Sequence, residues 1–215
     1  MTTTNVNRPW GFKPTRMSNG EKYNGQTQIY GFAAAQSSAA YTGDPVFFDA
    51  TNRATAITLE PYPGIPYVYA ATSTMTTNVF RGVISGFLPA PEYNMSPTAS
   101  LGLMYRVAST LRYGLIVDDY NTIFEAQEAG NAYVSSTDNA VNKTSDITYA
   151  AGNSVTGISG SYLNTPAASG VKPFRILRYT QRPDNFGFVA ADNPSYAHFD
   201  VMIANSDLAQ AQVGA

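Results

Sequence analysis

The chain has 215 residues, of which 44% are hydrophobic and 13% aromatic, so it can bury a core large enough to fold without staples. A net charge of -2 at pH 7 argues against nucleic-acid binding, which needs a dense positive patch, and a charged share of only 13% favours contact with other proteins. The absence of cysteine excludes disulfides and thiolate metal sites.

The N-terminal stretch NRPWGFKPTRMSNG (7–20) has neither helical nor strand periodicity, yet it holds the only tryptophan, Trp10. Ordering its backbone costs more free energy than burial of its large side chains returns. We therefore expect residues 1–25 to form an extended arm that is mobile in the free protein. Its partner-binding residues are predicted to be Arg8, Trp10, Phe12, Lys13 and Arg16. The alternative is that the arm packs on its own domain with Trp10 in the core.

The start of the chain, MTTTNVNRPW, also lacks the apolar core of a signal peptide. No run of about 18 apolar residues, the length needed to span a bilayer, occurs anywhere in the sequence. We therefore expect a protein made in the cytoplasm, with no membrane partner.

Short runs of β-branched and aromatic residues, each ended by Gly, Pro, Asn or Asp, dominate the rest of the chain. They predict one all-β domain over residues 26–205, an antiparallel β-sandwich or barrel of jelly-roll type with little helix. The predicted strands are 27–32, 45–49, 54–59, 66–70, 79–87, 103–108, 112–118, 122–127, 174–181 and 197–204.

The sequence also predicts the local structure of three regions: 112–127, 135–170 and 206–215. Residues 112–127 are expected to form a hairpin that turns at Asp118-Asp119, with Phe124 on its buried face. The small and polar residues of 135–170 indicate loops with weak hairpin strands. Residues 206–215 are expected to be a C-terminal tail, which begins at Ser206, a residue suited to capping a short helix.

The sequence contains few residues arranged as in known catalytic motifs. The single histidine, His198, shares a strand face with Asp200, but GISGS (157–161) has Ser161 where the G-x-S-x-G motif has its second glycine. We therefore favour a polar or interface role for His198 over a catalytic one. No P-loop, G-x-G-x-x-G or H-E-x-x-H motif occurs, so no cofactor or metal is expected.

Four carboxylates lie close together in VDDYNTIFEAQE (117–128): Asp118, Asp119, Glu125 and Glu128. They are compatible with a glycosidase pair or a calcium site. A structural interpretation is stronger, because Asp118 and Asp119 fall at a turn, where Asp side chains accept hydrogen bonds from nearby backbone N–H groups. No catalytic residue is therefore predicted, and we expect the protein not to be an enzyme.

Five segments, in chain order, carry a resemblance: NRPWGFKPTR (7–16), GDPVFF (43–48), RGVISGF (81–87), YRVASTLRYGLIVDDYNTIFEAQE (105–128) and FRILRYTQRPDNFGF (174–188). The most specific motifs are R-Y-x-x-x-V-D-D…F-E-x-Q from Arg112 to Gln127 and Q-R-P-D-N from Gln181 to Asn185. Together they resemble the capsid decoration proteins of tailed bacteriophages, also called cement or auxiliary head proteins, especially those of short-tailed phages. The closing HFDVMIANSD departs from the strand ending of that family.

The resemblance implies a non-catalytic virion protein that binds the outer surface of the capsid and ties neighbouring capsomers together. Its partners would be the major capsid protein and further copies of itself, in a homotrimer or, second, a homodimer. The composition also fits a carbohydrate- or receptor-binding β module of a phage fibre or head. A hydrolase such as a depolymerase is a third class, in which replacement of Glu125 or Asp119 would abolish an activity.

Overall fold

A computed structural model describes residues 5–48, 64–72, 79–88, 104–130, 140–167, 172–185 and 195–210. The predicted strand 54–59 lies outside these ranges. Within them the strands are β1 (Lys13–Met17), β2 (Gln28–Phe32), β3 (Ala40–Tyr41), β4 (Pro45–Phe47), β5 (Tyr69–Ala70), β6 (Gly82–Phe87), β7 (Tyr105–Arg106), β8 (Arg112–Val117), β9 (Thr122–Gln127), β10 (Thr144–Thr148), β11 (Tyr162–Ala167), β12 (Phe174–Tyr179) and β13 (His198–Ile203).

The prediction of an all-β protein with little helix is confirmed. The strands form antiparallel sheets, and the helix of the described residues is the single turn α1 (Asp207–Gln210). No helix in the described ranges is long and apolar enough to cross a membrane.

One sheet has six strands in the order β1-β9-β13-β12-β10-β11. Its far strand curls back towards β9, since a parallel bridge joins Glu128 to Leu163. The predicted weak hairpin in 135–170 is present as β10 and β11, which pair with each other. The curled sheet therefore has one concave, enclosed face and one outer face.

The second sheet has five strands in the order β2-β8-β6-β4-β5. It also curls, because the Gly31 N–H donates to Pro66 O and Gly31 O accepts from the Val68 N–H, which joins the segment before β5 to β2. β3 and β7 form a separate two-stranded ribbon. The bridges at Gly31 and Leu163 occupy backbone groups at the outer edges of β2 and β11, which are then not available for pairing with other chains.

The described residues form two buried apolar clusters. The larger lies between the sheets, where Phe124, Phe174 and Phe199 of the six-stranded sheet meet Val83 and Val117 of the five-stranded one. The smaller lies within the curl of the five-stranded sheet and includes Tyr30, Phe32, Val46, Val68, Ile84 and Ile116. The sheets thus pack face to face as in a β-sandwich, with alternate side chains of β6 and β8 serving different clusters.

The prediction of a hairpin at 112–127 is wrong in its pairing. β8 pairs with β2 and β6, whereas β9 pairs with β1 and β13, so the chain passes from one sheet to the other at this turn. Asp119 holds the turn by accepting hydrogen bonds from the backbone N–H groups of Asn121 and Thr122. Both strands are buried over most of their length, so each requires neighbours within its own sheet. Phe124 is fully buried, as predicted.

The N-terminal segment is extended, but it is not separate from the domain. β1 pairs with β9, with Lys13 opposite Glu125, and Phe12 is 1% exposed in the larger core cluster. The domain therefore includes residues that the sequence assigns to a mobile arm over 1–25. The comparison of the ordering free energy with side-chain burial leaves out the backbone hydrogen bonds between β1 and β9. These bonds come from the chain itself, so no partner is needed to order the segment around Phe12.

The C-terminal segment is also anchored where the structure describes it. Ser206 is 2% exposed and forms a bridge with Phe80, and its hydroxyl caps the short helix by accepting from the Leu208 N–H. The predicted capping role of Ser206 is confirmed. The boundary at 206 is not the start of a free tail, because Asn205 O accepts from the Phe80 N–H, the Asp207 N–H donates to Phe80 O, and the Asp207 carboxylate pairs with Arg81.

Candidate partner-binding site

Residues from four separate segments of the chain meet on the outer face of the six-stranded sheet. Trp10 stacks on His198 with ring centroids 4.5 Å apart, and the Arg182 guanidinium lies 5.3 Å from the Trp10 ring centroid. Arg182 also pairs with Glu125 at 2.7 Å. We call these four residues the Trp10 cluster. Aromatic stacking and a cation over an indole both favour a fixed orientation of the ring.

Gln127 fastens the chain that leads into Trp10. Its side-chain oxygen accepts from the Arg8 N–H at 3.0 Å, and its amide nitrogen donates to Val6 O at 2.7 Å and Tyr196 O at 3.1 Å. The Gln127 side chain is 1% exposed, so these bonds are shielded from water. Residues 6–8 are therefore held against the end of β9.

Asn185 positions the loop that carries Arg182. Its amide nitrogen donates to Thr180 O and His198 O, and its oxygen accepts from the His198 N–H. This buried side chain therefore ties the segment that follows β12, which carries Arg182, to the start of β13. Arg182 also forms two hydrogen bonds with Asp184, of 2.9 and 2.7 Å, so its guanidinium has carboxylates on two sides.

Asp200 anchors a second ion-pair group on the same face. Its carboxylate accepts from Arg16 and Arg178 at 2.8 Å each and from the Thr180 hydroxyl at 2.9 Å. Asp200 is 4% exposed, and an unpaired charge in such a place would be costly. Arg16, which the sequence predicts to bind a partner, therefore forms an ion pair inside the domain with Asp200.

His198 is neutral at pH 7. Burial, and after it the positive charge of Arg182, lower the pKa of the imidazole to about 4. Its Nδ1 has no hydrogen-bond partner among the described residues, and Glu125 Oε1 lies 3.5 Å away. The stacked, neutral ring supports Trp10 and is not arranged as a general base for a serine.

The depressed pKa of His198 predicts a loss of stability in mild acid. The unfolded chain binds a proton near pH 6.5 and the folded chain near pH 4, so unfolding gains protons between these values. We expect the free energy of unfolding to fall by up to about 1.4 kcal/mol per pH unit from this group as the pH drops through that window. Urea titrations of wild type and His198→Gln should differ in this slope, and parallel pH profiles would contradict the assignment.

A cleft of about 590 Å³ adjoins the Trp10 cluster. Trp10, Phe12, Tyr23, Ile84 and Ile158 supply its apolar walls; Lys13, Pro14, Thr42, Gly43, Ser85 and Arg182 complete the lining. Such a mostly apolar concave surface with a few polar groups is typical of a binding site.

Two glycines make the floor of the cleft possible. Gly11 has φ +73°, and a Cβ built there would lie 2.4 Å from Gly43 O. Gly43 in turn has φ +95°, and its oxygen accepts from the Phe12 N–H at 2.9 Å. A side chain at either position would push the N-terminal segment away from the turn at 42–44.

The serines of GISGS serve a buried carboxylate and not a histidine. Ser159 and Ser161 donate to Asp44 Oδ1, and the Tyr41 N–H donates to Asp44 Oδ2 at 2.8 Å. Asp44 has no exposed surface, and burial raises its pKa to about 6, against the lowering effect of these three donors. The near match to the nucleophile motif therefore has a structural explanation.

Asp44 predicts a pH effect opposite to that of His198. The folded carboxyl binds its proton near pH 6 and the unfolded one near 3.8, so unfolding releases protons between these values. Its stabilising contribution is complete below about pH 4 and is lost as the pH rises through 6. In Asp44→Asn we expect this slope, up to about 1.4 kcal/mol per pH unit, to disappear. Urea titrations from pH 4 to 7 test it, and an unchanged profile would argue against a buried, protonating Asp44.

The four carboxylates of 117–128 do not come together. Asp118 accepts from the Tyr30 hydroxyl, Glu125 pairs with Arg182, and Glu128 accepts from the Tyr196 N–H. Asp119 caps its own turn. Within the described ranges no group of three metal-binding side chains is found. Each of the four carboxylates therefore has a hydrogen-bond or ion-pair partner within the fold.

The five predicted partner-binding residues have different environments. Phe12 and Arg16 are used inside the domain, and Trp10 is held by His198 and Arg182. Arg8 and Lys13 are exposed and form no ion pair with the described part of the chain. The sequence missed Glu125, Arg182 and His198 as neighbours of Trp10; the available signal was that F-E-x-Q and Q-R-P-D-N are among the motifs of the resemblance.

The chain matches no known protein family model, no curated protein and no solved structure.

Proposed function

We propose that this protein is a structural virion protein that binds the outer surface of a tailed-phage capsid and stabilises contacts between neighbouring capsomers. The proposal rests on the sequence resemblance, and one structural observation supports it. Three motifs of that resemblance, NRPW, F-E-x-Q and Q-R-P-D-N, converge in the Trp10 cluster and its supports. Motifs separated by more than a hundred residues thus build one feature of the surface.

The fold suits such a role because its exposed surface is carried on a rigid frame. The larger core cluster joins both sheets, and the Trp10 cluster is held by buried polar side chains. A rigid surface loses little conformational entropy when it binds. A shell offers many identical sites, so an oligomer with modest contacts per subunit gains avidity by engaging several capsomers.

Binding of this kind stabilises the assembled shell by mass action, because the protein binds capsomers in the shell and not separated ones. We propose a homotrimer, with a homodimer as the second choice. Sedimentation velocity of the free protein distinguishes these states. The site of action would be the virion, reached after synthesis in the host cytoplasm.

A carbohydrate- or receptor-binding module is the second candidate. Its support is the pair Trp10 and Tyr23, which line the cleft, since sugar rings stack on aromatic faces. Against it, Trp10 already stacks on His198 and receives Arg182. This leaves less aromatic surface for a sugar than a free ring would offer.

Co-sedimentation tests the proposal. The purified protein is mixed with expanded and unexpanded shells assembled from the major capsid protein of the genome that encodes it, and the pellets are quantified. We expect saturable binding to expanded shells, a raised melting temperature of those shells and no retention on a glycan array. Retention on glycans without sedimentation would favour the second candidate. If the protein binds neither shells nor glycans, both candidate functions are overturned.

A further inference from the structure

We propose that the cleft and a neighbouring apolar ridge form one docking surface for an apolar segment of a capsomer that carries an acidic residue. The ridge consists of Met104, Val155 and Ile158. This inference rests on the proposed function, because it names the contact through which the protein would hold the shell. Its occupant is a protein segment, and not a sugar or a nucleic acid.

The ridge exposes three large apolar side chains to solvent in one region of the surface. Met104 is 64% exposed, Val155 90% and Ile158 41%. Met104 and the turn at 153–158 are in contact, since a Cβ at Gly157 would lie 2.4 Å from Met104 Cβ. Apolar side chains grouped on a surface are typical of protein interaction sites.

The turn that carries Val155 is fixed before any partner arrives. Asn153 Oδ1 accepts from the N–H groups of Val155 and Thr156, at 2.8 and 3.2 Å. The backbone of Asn153 also exchanges hydrogen bonds with Gly157 and Ile158. Val155 therefore stands on a pre-organised tip, which reduces the entropy lost on binding.

The ridge continues into the cleft. The Thr42 N–H donates to Gly157 O, and Thr42 O accepts from the Ser159 N–H, so the turn is tied to the floor of the cleft on both sides of Ile158. Ile158 itself lines the cleft. A single extended segment can thus contact Val155, cross Ile158 and enter the cleft towards Trp10.

Charge identifies the kind of segment. The lining of the cleft contains Lys13 and Arg182 and no acidic residue. Arg182 is already paired with Glu125 and Asp184, whereas Lys13 is exposed and has no ion pair with any described residue. An acidic side chain of the partner complements Lys13, and the apolar walls receive its neighbours.

Two exposed positions allow a test without damage to the fold. Val155→Asp places a charge on the ridge, and Lys13→Glu reverses the charge at the cleft. Tyr120→Asp and Lys22→Glu are matched controls, because both residues are exposed and lie outside the cleft lining and the ridge. Melting temperatures of all four variants should stay close to that of wild type.

Binding isotherms are measured by co-sedimentation with expanded shells at low and high salt. We expect Val155→Asp and Lys13→Glu each to weaken binding by about tenfold or more, and the controls to stay within about twofold. Lys13→Glu should also reduce the dependence of binding on salt. Wild-type binding that both variants retain would overturn this inference and leave the proposed function intact.

Two other outcomes are distinguishable. If wild type binds no shells, the proposed function fails and this inference fails with it. If Val155→Asp or Lys13→Glu changes the oligomeric state in sedimentation velocity, the occupant is a second copy of the chain, and the capsomer assignment is overturned. Weakened shell binding by both variants, with unchanged oligomeric state, supports the inference.

Discussion

Phe124→Ala is expected to lower the free energy of unfolding by about 3–5 kcal/mol. Phe124 lies in the middle of β9, has no exposed surface and belongs to the cluster that joins the two sheets. Its truncation removes apolar area from the core and leaves a cavity between the two sheets. The sheets cannot move together to fill this cavity, because their strands are fixed by hydrogen bonds within each sheet. Equilibrium urea unfolding followed by fluorescence measures the change.

Tyr120→Ala is the matched control for this experiment. Tyr120 is an aromatic residue in the turn just before β9, but 44% of its surface is exposed. Its loss should cost less than about 1 kcal/mol, as is usual for exposed positions. Equal effects of the two substitutions would show that β9 does not direct Phe124 into the core.

Arg106→Met is expected to destabilise the protein by at least about 3 kcal/mol, although it removes no ion pair with a described residue. The guanidinium is fully buried and donates to Thr110 O at 2.8 Å, to Ala33 O at 2.7 Å, and also to Ser38 O and Gln36 O. Methionine fills much of the volume but removes the guanidinium donor from Thr110 O and Ser38 O, whereas Ala33 O and Gln36 O keep a backbone N–H donor each. Burial lowers the pKa of Arg106 to about 10, so the group is still charged at pH 7.

Arg175→Met provides the comparison for Arg106. Arg175 is exposed on β12, and its side chain makes one long hydrogen bond of 3.4 Å with Asn142. The same chemical change should therefore have an effect within about 0.5 kcal/mol. A small effect at Arg106 would mean that water reaches the carbonyl groups of residues 33–38 and replaces the guanidinium.

The sequence predicts local strands well where the local signal is strong. Runs such as RYGLIV and TIFEAQ combine β-branched and aromatic residues with a following turn, and both are strands in the structure. β1 was missed because Pro14 and the charged residues around it give no alternation. β7 lies within the predicted strand 103–108, whereas β3, with two residues, carries too little pattern to predict.

The candidate site was only partly predictable. The sequence singles out Trp10 because it is the sole tryptophan in an unusual segment, and it places His198 and Asp200 on one strand face. It does not bring Arg182 or Glu125 to Trp10, since those contacts depend on which strands become neighbours. Nor does it show that Asp44 is buried with Ser159 and Ser161, because that contact spans more than a hundred residues.

The sequence by itself determined the all-β class, the position of most strands in the described ranges and the inward direction of Phe124, since these follow from local composition and alternation. Only the tertiary structure decided that β8 and β9 belong to different sheets and that the segment around Phe12 joins the domain. The physical reason is the same in both cases. Strand pairing supplies backbone hydrogen bonds between residues far apart in the chain, and no local pattern specifies the partner that provides them.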